Sequence, residues 1–218
     1  MTSSGAVCVK GSALSHRFGR RRTAIEALEF VFDGPGAVAV TGPNGSGKST
    51  LLRIIAGLLR PSEGSTALTV NGREVPPALR RTALGLATPE LAFYEEFSAS
   101  ENLAFAGETR GLASPARGAA EALERVGLAA RAHDKVATFS SGMKQRLRLA
   151  FALLHQPPLL LLDEPGSHLD DAGRAAMRAV VAHQAARGLV LIATNDAQEI
   201  QLAERRLELH SRGLGDPS

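Results

Sequence analysis

The sequence predicts an α/β protein with a mostly parallel sheet, interrupted part-way by an α-helical insertion. Three observations carry this. Short apolar runs suited to buried strands alternate with longer helical segments. Gly42-Pro43-Asn44-Gly45-Ser46-Gly47-Lys48-Ser49-Thr50 matches G-x-x-x-x-G-K-[ST], the phosphate-binding loop, and lies between an apolar run at 37–41 and a stretch at 51–59 with the apolar content of a helix. Leu159-Leu160-Leu161-Leu162-Asp163-Glu164 places two acids at the end of a run suited to a strand buried on both faces.

Each element follows in order. Residues 6–9 and 27–32 read as strands, and Gly34-Pro35-Gly36 as a turn before the loop strand. Between the first two lies Arg17-Phe18-Gly19, where Phe18 is either core or placed to stack on a base. Residues 60–64 stop the loop helix, and 66–71 alternate into an Asn71-Gly72 turn. A short strand at 84–87 precedes a helical region from 89 to about 154. Its helices cover 101–106 and 116–126, the latter with Ser114-Pro115 as cap and first turn. A third helix opens at Ser140-Ser141-Gly142 and carries Leu147, Ala150, Phe151 and Leu154 on one face. After the acidic strand come a helix at 171–187, a strand at 189–193, Thr194-Asn195-Asp196, a short helix and a strand at 206–209. Residues 1–218 are expected to form one domain, with 89–154 a helical subdomain within it.

Composition narrows the classes. Hydrophobic residues make up 44% of the 218, enough for a real core. The net charge is +3, and no run of like charge exceeds Arg20-Arg21-Arg22, so no nucleic-acid partner is expected. One cysteine, Cys8, excludes an intrachain disulfide and fits a reducing compartment. Met1-Thr2-Ser3-Ser4-Gly5 lacks the regions of a signal peptide, and the longest apolar candidate, 149–162, is broken by His155-Gln156-Pro157-Pro158. A soluble, cytoplasmic protein is expected, with any membrane role exerted through a partner.

The chemistry is that of a nucleoside triphosphate and Mg²⁺. Glycines let successive backbone N–H groups of 42–50 turn inward around phosphate oxygens, and the following helix adds its positive end. Lys48 is expected at the β- and γ-phosphates, Ser49 and Asp163 as Mg²⁺ ligands. Glu164 is positioned to polarise an attacking water. The bland readings, a glycine-rich turn beside a surface lysine and a strand end with two solvated acids, each explain one motif but not the pair.

Together these motifs resemble the nucleotide-binding subunit of an ABC transporter, from Phe18 to Asp196. Phe139-Ser140-Ser141-Gly142-Met143-Lys144-Gln145-Arg146 looks like the family signature L-S-G-G-Q; a plain helix cap would explain Ser140 but not the order of all the motifs. The resemblance implies a P-loop NTPase core with an N-terminal antiparallel β subdomain and an inserted α-helical subdomain. It implies that Ser140, Ser141 and Gly142 cap the γ-phosphate held by a second ATP-binding subunit, homo- or heteromeric, so that two chains sandwich two ATP. Phe18 matches the aromatic that stacks on adenine, and Ser167-His168-Leu169-Asp170 the loop crossing the dimer interface. Leu103 and its helix lie where the family docks an integral membrane subunit, which implies a peripheral position on the inner face of the cell membrane.

Two positions depart from the family pattern. Pro89 stands where a glutamine normally senses Mg²⁺ and the γ-phosphate, with Glu90 adjacent, and Asn195 stands where a histidine is usual. Asn195 still offers a hydrogen bond to a phosphate oxygen but cannot carry a proton. The form S-x-G-M-K-Q-R-L and the short stretch after the last strand resemble exporter subunits, small haem exporters of cytochrome c maturation among them. The expected function is therefore an ATPase coupled to transport. A soluble non-transport ATPase of the same type usually has a second cassette or a long coiled coil, and a small-molecule kinase would lack the signature helix.

Overall fold

The computed structural model describes residues 7–19 and 22–210. The signal-peptide reading of 1–5, Ala6 of the first expected strand, and Arg20 and Arg21 of the basic run lie outside them. Two sheets organise the chain. β1 (Val7–Phe18), β2 (Arg22–Asp33), β4 (Glu63–Val70) and β5 (Arg73–Glu74) form an antiparallel sheet in the order β2-β1-β4-β5. β3 (Gly36–Thr41), β6 (Leu84–Ala87), β7 (Leu159–Asp163), β8 (Leu189–Ala193) and β9 (Arg205–Glu208) form a parallel sheet in the order β6-β7-β8-β3-β9. The helices are α1 (Lys48–Ile55), α2 (Ala99–Thr109), α3 (Pro115–Arg125), α4 (Ser141–Leu153), α5 (Asp171–Ala185) and the short α6 (Ala197–Ile200).

The parallel sheet separates two cores, and the period of two along β7 assigns its leucines to them. Leu160 and Leu162 pack with Leu103, Leu123, Leu147, Val180 and their neighbours on one face. Leu159 and Leu161 pack with Leu52, Ile55 and, from the antiparallel sheet, Val9 and Leu68 on the other. Burial on both faces is why this strand reads as an unbroken apolar run.

Several boundaries differ from the sequence reading. β1 and β2 are 12 residues each, where short strands were expected. Register shifts and positive φ at Ala13 and Ala27 break the alternation without ending the pairing, and they bring Phe18 into the strand opposite Arg22. α1 stops at Ile55 rather than continuing to 59. Gly57, at φ 76, donates to the Ile54 carbonyl and closes the helix. Residues 89–98 are irregular, and α2 begins at Ala99 with Ser98 and Glu101 as a reciprocal capping box. Pro115 opens α3 as expected, but the Ser114 side chain makes no capping hydrogen bond. Of the expected α4 face, Leu147, Ala150 and Leu154 are buried, whereas Phe151 is half-buried under the Arg110 guanidinium, 4.3 Å from its ring centre. The Asn71-Gly72 turn has both residues at positive φ, the requirement of a tight two-residue hairpin.

One polar contact and one close approach hold the layers in place. Arg80 is buried, and its guanidinium donates to the Ile55 carbonyl at 2.9 Å and the Thr66 carbonyl at 2.6 Å. It thereby ties the C-terminal end of α1, where the helix dipole is negative, to β4. On the other side, Gly85 of β6 lies so close to α4 that a Cβ would meet the Ala152 carbonyl oxygen at 1.9 Å. Among the described residues no helix is long and apolar enough to cross a membrane.

His155, at the exit of α4, donates from Nε2 to the Leu84 carbonyl at 3.1 Å, while its buried Nδ1 has no partner among the described residues. Burial, with Arg110 adding to it, pushes this imidazole down to about 4 against the opposing Leu84 hydrogen bond. An unfolded histidine takes its proton near pH ~6.5, so the unfolded state gains the proton first and stability is lost as pH falls from about 6.5 towards 4. In His155→Gln, which keeps a donor for Leu84 but cannot titrate, the Tm should decline less than in the wild type over that window. Parallel Tm profiles for the two would exclude His155 as the source.

Candidate functional site

Residues 42–47 carry the chain from β3 into α1 through three glycines at positive φ: Gly42 at 142, Gly45 at 82 and Gly47 at 98. At two of them space is as decisive as conformation. A Cβ on Gly42 would lie 2.1 Å from the Leu209 carbonyl oxygen, and one on Gly47 2.4 Å from that of Ala24. The loop closes with a Ser46 N–H bond to the Pro43 carbonyl, and Lys48 Nζ donates to the carbonyls of Gly42 at 2.7 Å and Pro43 at 3.2 Å. Asn44, Lys48, Ser49, Thr50 and Glu164 line a cavity of about 210 Å³ here.

β7 delivers its acids to the same place. Asp163 is buried. Burial pushes its carboxyl up, and the nearby Glu164 and Glu90 carboxylates add to this. A hydrogen bond from the Ser49 hydroxyl and the Arg53 charge oppose it. Ser49 and Asp163, the two residues expected as Mg²⁺ ligands, thus lie side by side. Glu164 is exposed, with φ 48. Its backbone N–H binds the Ala193 carbonyl at 2.9 Å, and Ser167 Oγ donates to its Oε2 at 3.5 Å.

Asn195 reaches the phosphate loop from just past β8, the strand paired with β3. Its Oδ1 accepts from the Gly42 N–H at 3.3 Å, and its Nδ2 donates to Asn44 Oδ1 at 3.2 Å. Glu90 is ion-paired with Arg53 of α1. Burial pushes its carboxyl up, but hydrogen bonds from its own backbone, Arg53 and Thr88, with the Arg53 charge, outweigh that and leave it below the usual carboxylate range.

Phe18 and the signature residues do not line this cavity. Phe18 is 44% exposed and meets the His16 ring edge-on, which rules out the core alternative. Ser140 caps α4 by accepting from the Met143 N–H at 3.2 Å, and both Ser140 and Ser141 are exposed. Gly142 faces the loop that follows β7, where a Cβ would meet the His168 carbonyl at 2.7 Å.

Three contacts were not found from sequence. Buried Gln145 donates to the carbonyls of Glu164 at 3.3 Å and Pro165 at 3.1 Å, so α4 grips the chain just after the acids. Buried Glu199 accepts the Gly166 N–H at 2.9 Å through Oε1. Burial pushes the Glu199 carboxyl up against the nearby Thr194 hydroxyl; Asp196 adds to the rise, while Gly166 and Arg174 oppose it. Arg53 sits where it acts on both Asp163 and Glu90. Gln145 stands inside the signature-like stretch, but no local pattern points its side chain at the acids.

The ABC transporter family model matches residues 26–167. The linearmycin resistance ATP-binding protein of Bacillus subtilis is 36% identical over 183 residues, 82% of this chain and 58% of that one. The chain spans about half the length of several such relatives. A cytochrome c biogenesis ATP-binding export protein of Nitrobacter hamburgensis is 37% identical over 218 residues, covering 95% of this chain and 97% of its own. Among solved structures, the ATP-binding subunit of an ABC transporter superposes with a TM-score of 0.80 at 30% identity, covering 93% of this chain and 85% of that chain. A dimeric ATP-binding cassette bound to ADP and Pi superposes with a TM-score of 0.78 at 24% identity, covering 92% and 94%, a likeness of fold. The antiparallel sheet beside a parallel phosphate-loop sheet, the order of the motifs and these matches agree: the chain belongs to the ABC transporter family, as one of its ATP-binding proteins.

Proposed function

We propose that the chain binds and hydrolyses Mg-ATP as the ATP-binding subunit of an exporter, working as a sandwich dimer. The observation that carries this is the meeting of Lys48, Ser49 and Glu164 around one cavity at the end of the parallel sheet, with buried Asp163 beside Ser49. In this reading the N–H groups of 42–50 and Lys48 hold the phosphates, and Phe18 stacks on the base. Ser49 and Asp163 fit Mg²⁺: both are hard oxygen donors already in contact, and the buried carboxyl, raised by burial and like charges, gains from a cation beside it. The ion would supply charge neutralisation at the phosphates. A water held by Glu164 gives up its proton to that carboxylate while its oxygen bonds to the γ-phosphorus. The bond from that phosphorus to the bridging oxygen breaks, and ADP leaves with the electron pair. Asn195, one hydrogen bond from Gly42, is placed to steady a γ-phosphate oxygen.

Exposed Ser140 and Ser141, with Gly142, lie away from their own chain's cavity, as a cap for the partner's γ-phosphate requires. The membrane subunit takes a different surface. Leu103 is fully buried, so α2 meets a partner through Phe105, which packs edge-on to Tyr94 at 6.0 Å, with Phe97 beside Tyr94. A cavity of about 550 Å³ lined by Leu58, Leu86, Leu91, Arg110 and Phe151 opens elsewhere between the sheet and the helices. A membrane subunit docked at Phe105 would hold the chain at the inner face of the membrane. The match along nearly the whole length of the Nitrobacter relatives, named for export in cytochrome c biogenesis, supports that setting, for which haem is the proposed cargo.

Three measurements test the reading. Lys48→Ala should weaken binding of a fluorescent ATP analogue by about 10-fold or more, since a charged hydrogen bond is worth roughly 1.5–3 kcal/mol; unchanged affinity in a folded variant removes the loop from the site. Glu164→Gln should keep ATP uncleaved and accumulate a dimer by light scattering, because ATP links two surfaces by mass action. A variant that stays monomeric at saturating Mg-ATP contradicts the homodimeric sandwich. Asn195→Ala should lower basal turnover and Asn195→His raise it, each within the ~10²–10³-fold that one phosphate contact is worth. An alanine variant with wild-type turnover excludes the side chain, and a slower histidine variant shows the site is adapted to asparagine.

A further inference from the structure

The geometry points to Glu199 as a positioning residue for ATP hydrolysis: through the Gly166 N–H it holds the turn that carries Glu164 and Ser167. This rests on the hydrolytic reading above.

The contacts run in one direction. Gly166 N–H donates to Glu199 Oε1 at 2.9 Å, and the fit is tight enough that a Cβ on Gly166 would stand 2.1 Å from that oxygen. The next residue, Ser167, donates through its backbone to the Glu164 carbonyl at 3.2 Å and through Oγ to Glu164 Oε2 at 3.5 Å. Gln145 grips the same segment from the other side at Glu164 and Pro165. The acid that would orient water therefore sits on a turn pinned between two buried side chains, while its own carboxylate stays exposed.

Glu199 is itself anchored to the segment that touches the phosphate loop. Asp196 caps α6, accepting from the N–H groups of Gln198 at 2.7 Å and Glu199 at 3.3 Å, and Arg174 lies 3.7 Å from Asp196. Asn195, one residue earlier, bonds to Gly42 and Asn44. Oε2 of Glu199 is buried and closes no hydrogen bond of ordinary geometry, although the Thr194 hydroxyl is near. The other oxygen is spent on the Gly166 N–H, so Glu199 joins the segment at 194–199 to the turn that carries Glu164.

Removing the acceptor should lower kcat without weakening nucleotide binding. Steady-state hydrolysis and binding of a fluorescent ATP analogue are measured for the wild type, Glu199→Ala and Glu199→Gln, with amide hydrogen exchange over 165–169 by mass spectrometry. Glu199→Ala is expected to lose about 10- to 100-fold in kcat, with KM near wild type and faster exchange at 165–169. Glu199→Gln, which keeps a carbonyl oxygen for Gly166, should retain most of kcat and the protection. If the alanine variant does not fold, Glu199→Asp, which withdraws the oxygen but keeps the charge, must show the same loss of kcat. Unchanged kcat in an active series overturns the positioning role, as does glutamine failing like alanine, or a loss confined to KM and analogue binding. A wild type that binds the analogue but never hydrolyses ATP overturns the hydrolytic reading, and this one with it.

Discussion

Two carbonyl oxygens, those of Leu209 and Ala24, press on the phosphate loop at Gly42 and Gly47, and much of the site depends on how closely they do so. Any side chain at either glycine would collide with backbone rather than with a movable group. The loop is thus wedged between the residue after β9 and the strand β2, one contact from each sheet. That wedge sets where α1 begins, and hence where Lys48, Ser49 and Thr50 point. It also aligns the Ser49 hydroxyl with Asp163 on the neighbouring part of the parallel sheet. Preorganisation of this kind costs conformational entropy once, at folding, rather than at each binding event.

The surrounding layers protect that alignment. Each face of the parallel sheet has its own apolar core, so the helices at α2–α5 and the antiparallel sheet are attached to it independently. On the antiparallel side the attachment includes one charged group: Arg80 satisfies carbonyls at the end of α1 and on β4 with a single guanidinium. Burial pushes its pKa down, yet arginine remains charged at any ordinary pH, so the contact is permanent. A lysine there could not reach both partners in the same plane.

How much of this was legible in the sequence depended on the range of the interaction. The strand β7 and the phosphate loop were readable because their signals are local: four leucines in succession, and glycines at fixed offsets from Lys48. The ends of β1 and α1 were not. Positive φ at Ala13 and Ala27 allows the strands to pass irregularities that an alternation rule reads as breaks, and Gly57 ends α1 inside a run that remains apolar. The polar wiring was hidden for a different reason. Arg80, Gln145 and Glu199 are of residue types that usually sit in water, and each finds its partner many positions away along the chain. Leu103 shows the reverse error: the helix was correctly sited, but the leucine faces the core and Phe105 is exposed in its place.

The grip of α4 on the turn after β7 has a consequence for how two copies would keep time. Gly142 lets the start of that helix lie against the His168 carbonyl, and Gln145 one turn later holds the carbonyls of Glu164 and Pro165. In the proposed sandwich, the surface that would meet a second molecule's phosphate and the acid that would hold the chain's own water are therefore two ends of one stiff lever only a helical turn long. A displacement at one end arrives at the other with little slack, since backbone contacts this close do not compress. In the proposed symmetric sandwich each lever would span both cavities, so neither cavity could be set without its twin.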